Sequence, residues 1–197
     1  MFVLTVDQVD SRSTPDAVAA ALEDVERIGG SAVVLDPERT AGDEFQVLLS
    51  DGEAVLRVIL SLSRSGGWSV GCGTGGMRMP LPPSIREATG EAFVAARTAV
   101  DRAKRKPTRV ALESATDAAA ASRVEALLDL LLILRAKRTP EGWELFDLVE
   151  AGHSQTEAAG RLGISPQAAS KRAQAAEIKA ELAVTGVLAT LVSELAE

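Results

Sequence analysis

Two hydrophobic rhythms follow one another along the chain. Through residue 113, short apolar runs alternate with stretches whose apolar residues recur every three or four positions. Beyond it only the helical spacing persists. Residues 2–9, rich in Phe, Val, Leu and Thr, read as a strand. Ser13-Thr14-Pro15-Asp16 offers an N-cap with proline in the first turn, which predicts a helix to about Ile28, stopped by Gly29-Gly30. Residues 31–35 and 45–49 are two short strands. Ser50-Asp51-Gly52 opens a second helix with Val55, Val58, Ile59 and Leu62 on its apolar face, and Gly66-Gly67 ends it. A strand over 68–73 leads to a Gly-rich loop with Pro80, Pro82 and Pro83. A third helix is expected over 85–104, with Phe93, Val94, Ala96 and Val100 inward, and a last strand over 108–112. Two directly joined strands between helical crossovers predict a split βαβ, ferredoxin-like sheet with helices on one face.

From residue 114 the expectation is all-helical. A long Ala- and Leu-rich helix over 114–138 stops at Thr139-Pro140, followed by helices over 141–151, 155–162 and from 166 onward. The fold class is therefore α+β. An N-terminal domain spans 1–113, a connecting helix 114–140, and a helix-turn-helix domain with a C-terminal helix 141–197.

Within that last domain the residues of one motif agree with each other. Ser154 with Glu157 three positions later forms a capping box. Ala158 and Ala159 are small where two helices must cross, and Gly163 suits the left-handed exit from the first helix. Ile164 plugs the gap, Ser165 caps the second helix, and Pro166 takes its first turn. A second helix laid in the major groove of double-stranded DNA would present Gln167, Ser170, Lys171 and Gln174. Glutamine pairs with adenine, and Lys171 and Arg172 meet guanine edges or phosphates. Ser154, Gln155, Thr156, Arg161 and Ser165 would hold the DNA backbone. This stretch, about 143–175, resembles the helix-turn-helix of MarR-type regulators and of the promoter-reading region of sigma factors. The competing expectation is a helical hairpin for protein contact, supported by the surrounding Glu141, Glu144, Asp147, Glu150, Glu177 and Glu181.

Composition narrows the partners. A net charge of -7 excludes a chain coated in nucleic acid but leaves room for a small DNA-reading surface. Aromatics are only 3%, with no Tyr, so the core must rest on Ala, Val, Leu and Ile. A single cysteine, Cys72, excludes an internal disulfide and fits a reducing cytoplasm. One histidine, His153, and one distant cysteine make no zinc site. The longest apolar run, 126–134, is broken by Asp129 and too short to span a bilayer. The helices over 124–134 and 182–195 carry more apolar residues than one face needs, which predicts either packing of the last helix on its own helix-turn-helix or, the favoured expectation, a homodimer interface.

A second constellation is acidic. Asp7 on the first strand and Asp43 at the central hairpin would be neighbours in a split βαβ sheet, an arrangement able to hold Mg²⁺ with a nucleotide's phosphate oxygens. Gly71-Cys72-Gly73-Thr74-Gly75-Gly76 is either a phosphate-approaching loop or a bulged strand end. The cluster Arg102, Lys104, Arg105, Lys106 and Arg109 is expected to be a solvated helix end. The first-strand Asp7 followed by Ser11-Arg12, the later Gly42-Asp43-Glu44-Phe45-Gln46, and Gly90-Glu91-Ala92-Phe93-Val94-Ala95-Ala96-Arg97 together resemble the SatD family. The hairpin is also similar to that of diguanylate cyclases and class III nucleotide cyclases, whose palm-like sheet the resemblance implies here. Val6 before Asp7 and Ala41 before Gly42 depart from that pattern. The expected function is a DNA-binding transcription regulator whose cyclase-like N-terminal domain senses or scaffolds. The alternatives are a metal-dependent nucleotide-processing enzyme with a regulatory helix-turn-helix, or a protein-binding adaptor.

Overall fold

Alternation along the first strand organises the sheet. In the computed structural model, which describes residues 1–196, β1 (Phe2–Gln8) sits at the centre of a five-stranded sheet with β2 (Val33–Ala41), β3 (Glu44–Leu49), β4 (Trp68–Thr74) and β5 (Val110–Ser114). The order is β2-β3-β1-β4-β5. β1 runs antiparallel to both β3 and β4, β2 antiparallel to β3, and β5 parallel to β4. Among the described residues there are eight α-helices: α1 (Val18–Gly29), α2 (Gly52–Arg64), α3 (Glu91–Ala103), α4 (Ala118–Ala136), α5 (Pro140–Glu150), α6 (Gln155–Leu162), α7 (Pro166–Ala175) and α8 (Ile178–Glu194). The chain is thus α+β with a mixed sheet. It forms two units, one of Met1–Asp129 with the chain from Leu188 onward, the other of Leu130–Val187.

In the first unit, helices cover both sheet faces, where the sequence predicted one. Val3 and its ladder partner Leu48 share a cluster with Ala92 and Ala96 of α3. A Cβ on Gly71 would stand 2.2 Å from the Val100 nitrogen, and one on Gly73 would stand 2.1 Å from that of Ala96. α3 therefore lies directly on β4, and these two glycines serve that close approach inside a strand. The opposite face carries Phe2 and its partner Leu49. There α1 packs so closely that a Cβ on Gly29 would stand 3.1 Å from the Leu49 side chain, and α2 packs on α1.

Two helices begin later than the sequence suggested. α1 starts at Val18 because the Gln8 side chain holds the preceding segment as a loop. It donates to the Thr14 hydroxyl (3.0 Å) and the Pro15 carbonyl (2.7 Å), and it accepts from the Ala17 amide (3.0 Å). Asp16 then accepts from the Val18 amide at 2.9 Å. Residues 85–87 form only a 3₁₀ turn, and α3 begins at Glu91 after Gly90, whose φ of 147° is incompatible with helix. Within α3, Ala92, Ala96, Ala99 and Val100 are buried, while Val94, about 200° around the helix from Ala96, points outward and is 68% exposed.

Of the basic cluster at the end of α3, Arg102, Lys104 and Lys106 are ion-paired, while Arg105 is exposed. Arg102 bridges Glu113 and the buried Glu125, and Lys106 reaches Glu125 (2.7 Å) and Asp129 (2.8 Å). Glu125 also accepts the Leu112 amide at 2.7 Å, tying α4 to β5.

In the second unit, α5, α6 and α7 close around Leu145, Phe146, Ala158, Ala159, Ala169, Ala173, Ala176 and Ile178. Alanines let the helix axes approach, and Trp143, Leu162 and Ile164 fill the margin. Beside this core, Arg135 and Arg138 share the buried carboxylate of Glu181, Arg138 at 2.6 Å. The Arg138 guanidinium also stacks 4.4 Å from both the Trp143 and Phe146 ring centres.

Candidate nucleic-acid interface

The turn between α6 and α7 is built from local hydrogen bonds that its sequence dictates. Ser154 accepts from the Glu157 amide (3.2 Å), and the Glu157 carboxylate accepts from the Ser154 amide (2.8 Å), completing the capping box. These bonds hold the Glu157 carboxyl below its ordinary range. α6 ends where Gly163 adopts φ 67° and ψ 28°, and the Ile164 amide reaches back to the Ala159 carbonyl at 3.0 Å. Two residues later Ser165 caps α7 by accepting from the Ala168 amide at 3.2 Å, with Pro166 at the first position.

α7 buries Ala169 and Ala173 and exposes Pro166, Gln167, Ala168, Ser170, Lys171, Gln174 and Ala175. Thr156 and Arg161 on α6 are exposed, as are Ser154 and Ser165, whose hydroxyls serve as caps. Arg172 is turned the other way, against α5. Its Nη1 donates to the Glu141 carbonyl at 3.4 Å and lies 3.6 Å from the Glu144 carboxylate. It therefore points away from the face formed by Gln167, Ser170, Lys171 and Gln174, and its partners lie some thirty positions away, out of reach of motif reading. Gln155, Ser170, Gln174, Glu177 and Lys179 line a groove of about 370 Å³ beside α7. Lys179 was missed in the sequence because it follows the helix break at Glu177, whose φ is 51°.

Charge is unevenly divided. Residues 130–187 contain seven Lys or Arg and seven Asp or Glu, so the whole of the -7 belongs to the rest of the chain. Two of those seven cations, Arg135 and Arg138, are buried with Glu181.

The acidic constellation lies in the first unit. Register sets Asp7 opposite Glu44, with Asp43 one residue earlier at the hairpin turn. Asp7 pairs with Lys104 of the α3 end at 2.7 Å. Glu44, buried, pairs with Arg97 and accepts from the Thr40 hydroxyl at 3.1 Å. Ser11 donates to Asp43 and holds its carboxyl below the usual range, helped by the charges of Lys104 and Arg12. Asp43 also borders a cleft of about 260 Å³ lined by Gln8, Ser11, Asp16, Arg39 and Gly42. As placed, these carboxylates fit ion pairing, and a Mg²⁺ ion with a nucleotide would have to displace Lys104 and Ser11. Among the described residues, no three His, Cys, Asp or Glu side chains are placed to share a metal ion. Strand alternation puts Glu44 on the face of Asp7, a signal the sequence carried and the choice of Asp43 passed over.

Comparison with known families, curated proteins and solved structures returned no match. Among the described residues no helix is long and apolar enough to cross a membrane.

Proposed function

We propose that this chain is a DNA-binding transcription regulator of the cytoplasm, in which α6 and α7 are a helix-turn-helix and α7 enters the major groove. The observation that carries this reading is the capped, glycine-turned helix pair with Gln167, Ser170, Lys171 and Gln174 all exposed on one helix. Side chains of this type read base edges and phosphates. Gln155, Thr156, Arg161 and Lys179 flank it as backbone contacts. The local charge is modest, so one copy binds weakly, and a homodimer supplies the second recognition helix. Leu130, Ile133 and Leu134 on α4, with Leu182 and Val187 on α8, are exposed apolar residues of this unit suited to that pairing.

The first unit is the sensing or scaffolding partner. The antiparallel order β2-β3-β1-β4 of its first four strands supports reading it as a split βαβ, ferredoxin-like domain. The SatD-like and cyclase-like residues around Asp7 and Asp43 belong to that scheme. A ligand there acts only through a difference in affinity between two arrangements of the dimer.

Titrating labelled genomic duplex fragments with the full chain, at several salt concentrations, tests the proposal. Binding should weaken as salt rises, and Lys171→Ala should reduce the salt slope by about one. Absence of any retarded species at low salt would remove the regulator reading and favour the protein-binding adaptor.

A further inference from the structure

The face that α7 leaves free is unusual in what it lacks. Of the residues it exposes, two are glutamines, two are alanines, and proline, serine and lysine occur once each. No arginine is among them, because Arg172 is drawn back to the Glu141 carbonyl and the Glu144 carboxylate. Arginine is the commonest reader of guanine through O6 and N7, so that contact to a G·C pair is missing from the exposed face of α7. What stands at the N-terminal end of the helix, the end that reaches base edges, is Gln167 followed by Ala168. Glutamine offers one donor and one acceptor, the complement of adenine N7 and N6, and an alanine methyl packs on the thymine methyl. Ser170, with a hydroxyl that donates or accepts, discriminates little. Lys171 is a flexible point charge suited to phosphate.

We infer that the half-site read by α7 is specified by A·T pairs, with Gln167 and Ala168 as the specificity-determining residues. Arg172 is a positioning residue that holds α7 on α5. This rests on the DNA-binding reading above and adds the class of sequence recognised. Two features keep the assignment sharp. Ser165 and Pro166 fix the start of α7, so Gln167 has a defined place in the first turn. Ala169 and Ala173 are buried, so the helix is not free to rotate another face toward the groove.

Selection of bound duplexes from a random pool by the full chain, repeated with Gln167→Arg and with Arg172→Gln, tests the inference. Circular dichroism melts of each variant show that it is folded. The wild type should enrich A·T at one position of each half-site. Gln167→Arg should shift that same position to G·C by on the order of tenfold. Arg172→Gln should keep the A·T preference while weakening retention. Enrichment of G·C by the wild type, or an A·T preference unmoved by Gln167→Arg, would overturn the inference and leave DNA binding standing. A preference lost in Arg172→Gln but kept in Gln167→Arg would make Arg172 the reader and overturn it too. No enrichment above the starting pool would take both readings down together.

Discussion

Gly163 decides whether α6 can end and α7 begin. A Cβ there meets nothing within 4 Å, so the cost of Gly163→Ala is backbone strain at φ 67° alone, about 1 kcal/mol. Urea denaturation should show that loss without a change in slope. The charge of Glu157 works at the same turn. Its folded-state pKa lies below its unfolded value, so its contribution is present above the unfolded pKa and lost as pH falls through the folded one. Glu157→Gln should therefore melt below the wild type at pH 7, and the gap should narrow as pH falls below the ordinary glutamate range. Cys72, wholly buried with its thiol pushed up to about 12, should resist thiol reagents until the chain unfolds. The caps and this turn were legible in the sequence because every partner lies within a few residues. The engagement of Arg172 with α5 was not, since it depends on how α7 packs.

Elements hold together here through close approach and buried charge. Gly71→Ala or Gly73→Ala would drive a methyl into the α3 backbone, costing about 3 kcal/mol or more. Loss of the folded signal for either variant in a thermal melt, with Gly66→Ala milder, is the expected result. Glu181→Gln removes the carboxylate shared by Arg135 and Arg138 and should cost about 3–5 kcal/mol. The strand positions and the directly joined β2-β3 pair were readable from alternation. The late starts of α1 and α3 were not. One depends on Gln8 competing for the backbone of residues 14–17, the other on the backbone at Gly90. Val94, expected inside, lies outside because helix periodicity sets it on the side opposite Ala96 and Val100.

For the whole molecule, the charge division and the exposed apolar residues of α4 and α8 set the expectations. The unit from Leu130 to Val187 is neutral while the remainder carries -7, so the remainder should repel nucleic acid and the former should not. Light scattering at micromolar concentration should give twice the 20.6 kDa chain mass, and Leu130→Asp should return it to one. A monomeric wild type would remove the dimer from the account. The direct test of α7 as the reading helix is an amide chemical-shift map of the full chain titrated with short duplex DNA at low salt. The account predicts shifts concentrated at Gln155, Thr156, Gln167, Ser170, Lys171 and Gln174. Shifts confined to the sheet-bearing unit, or none at all, would contradict it.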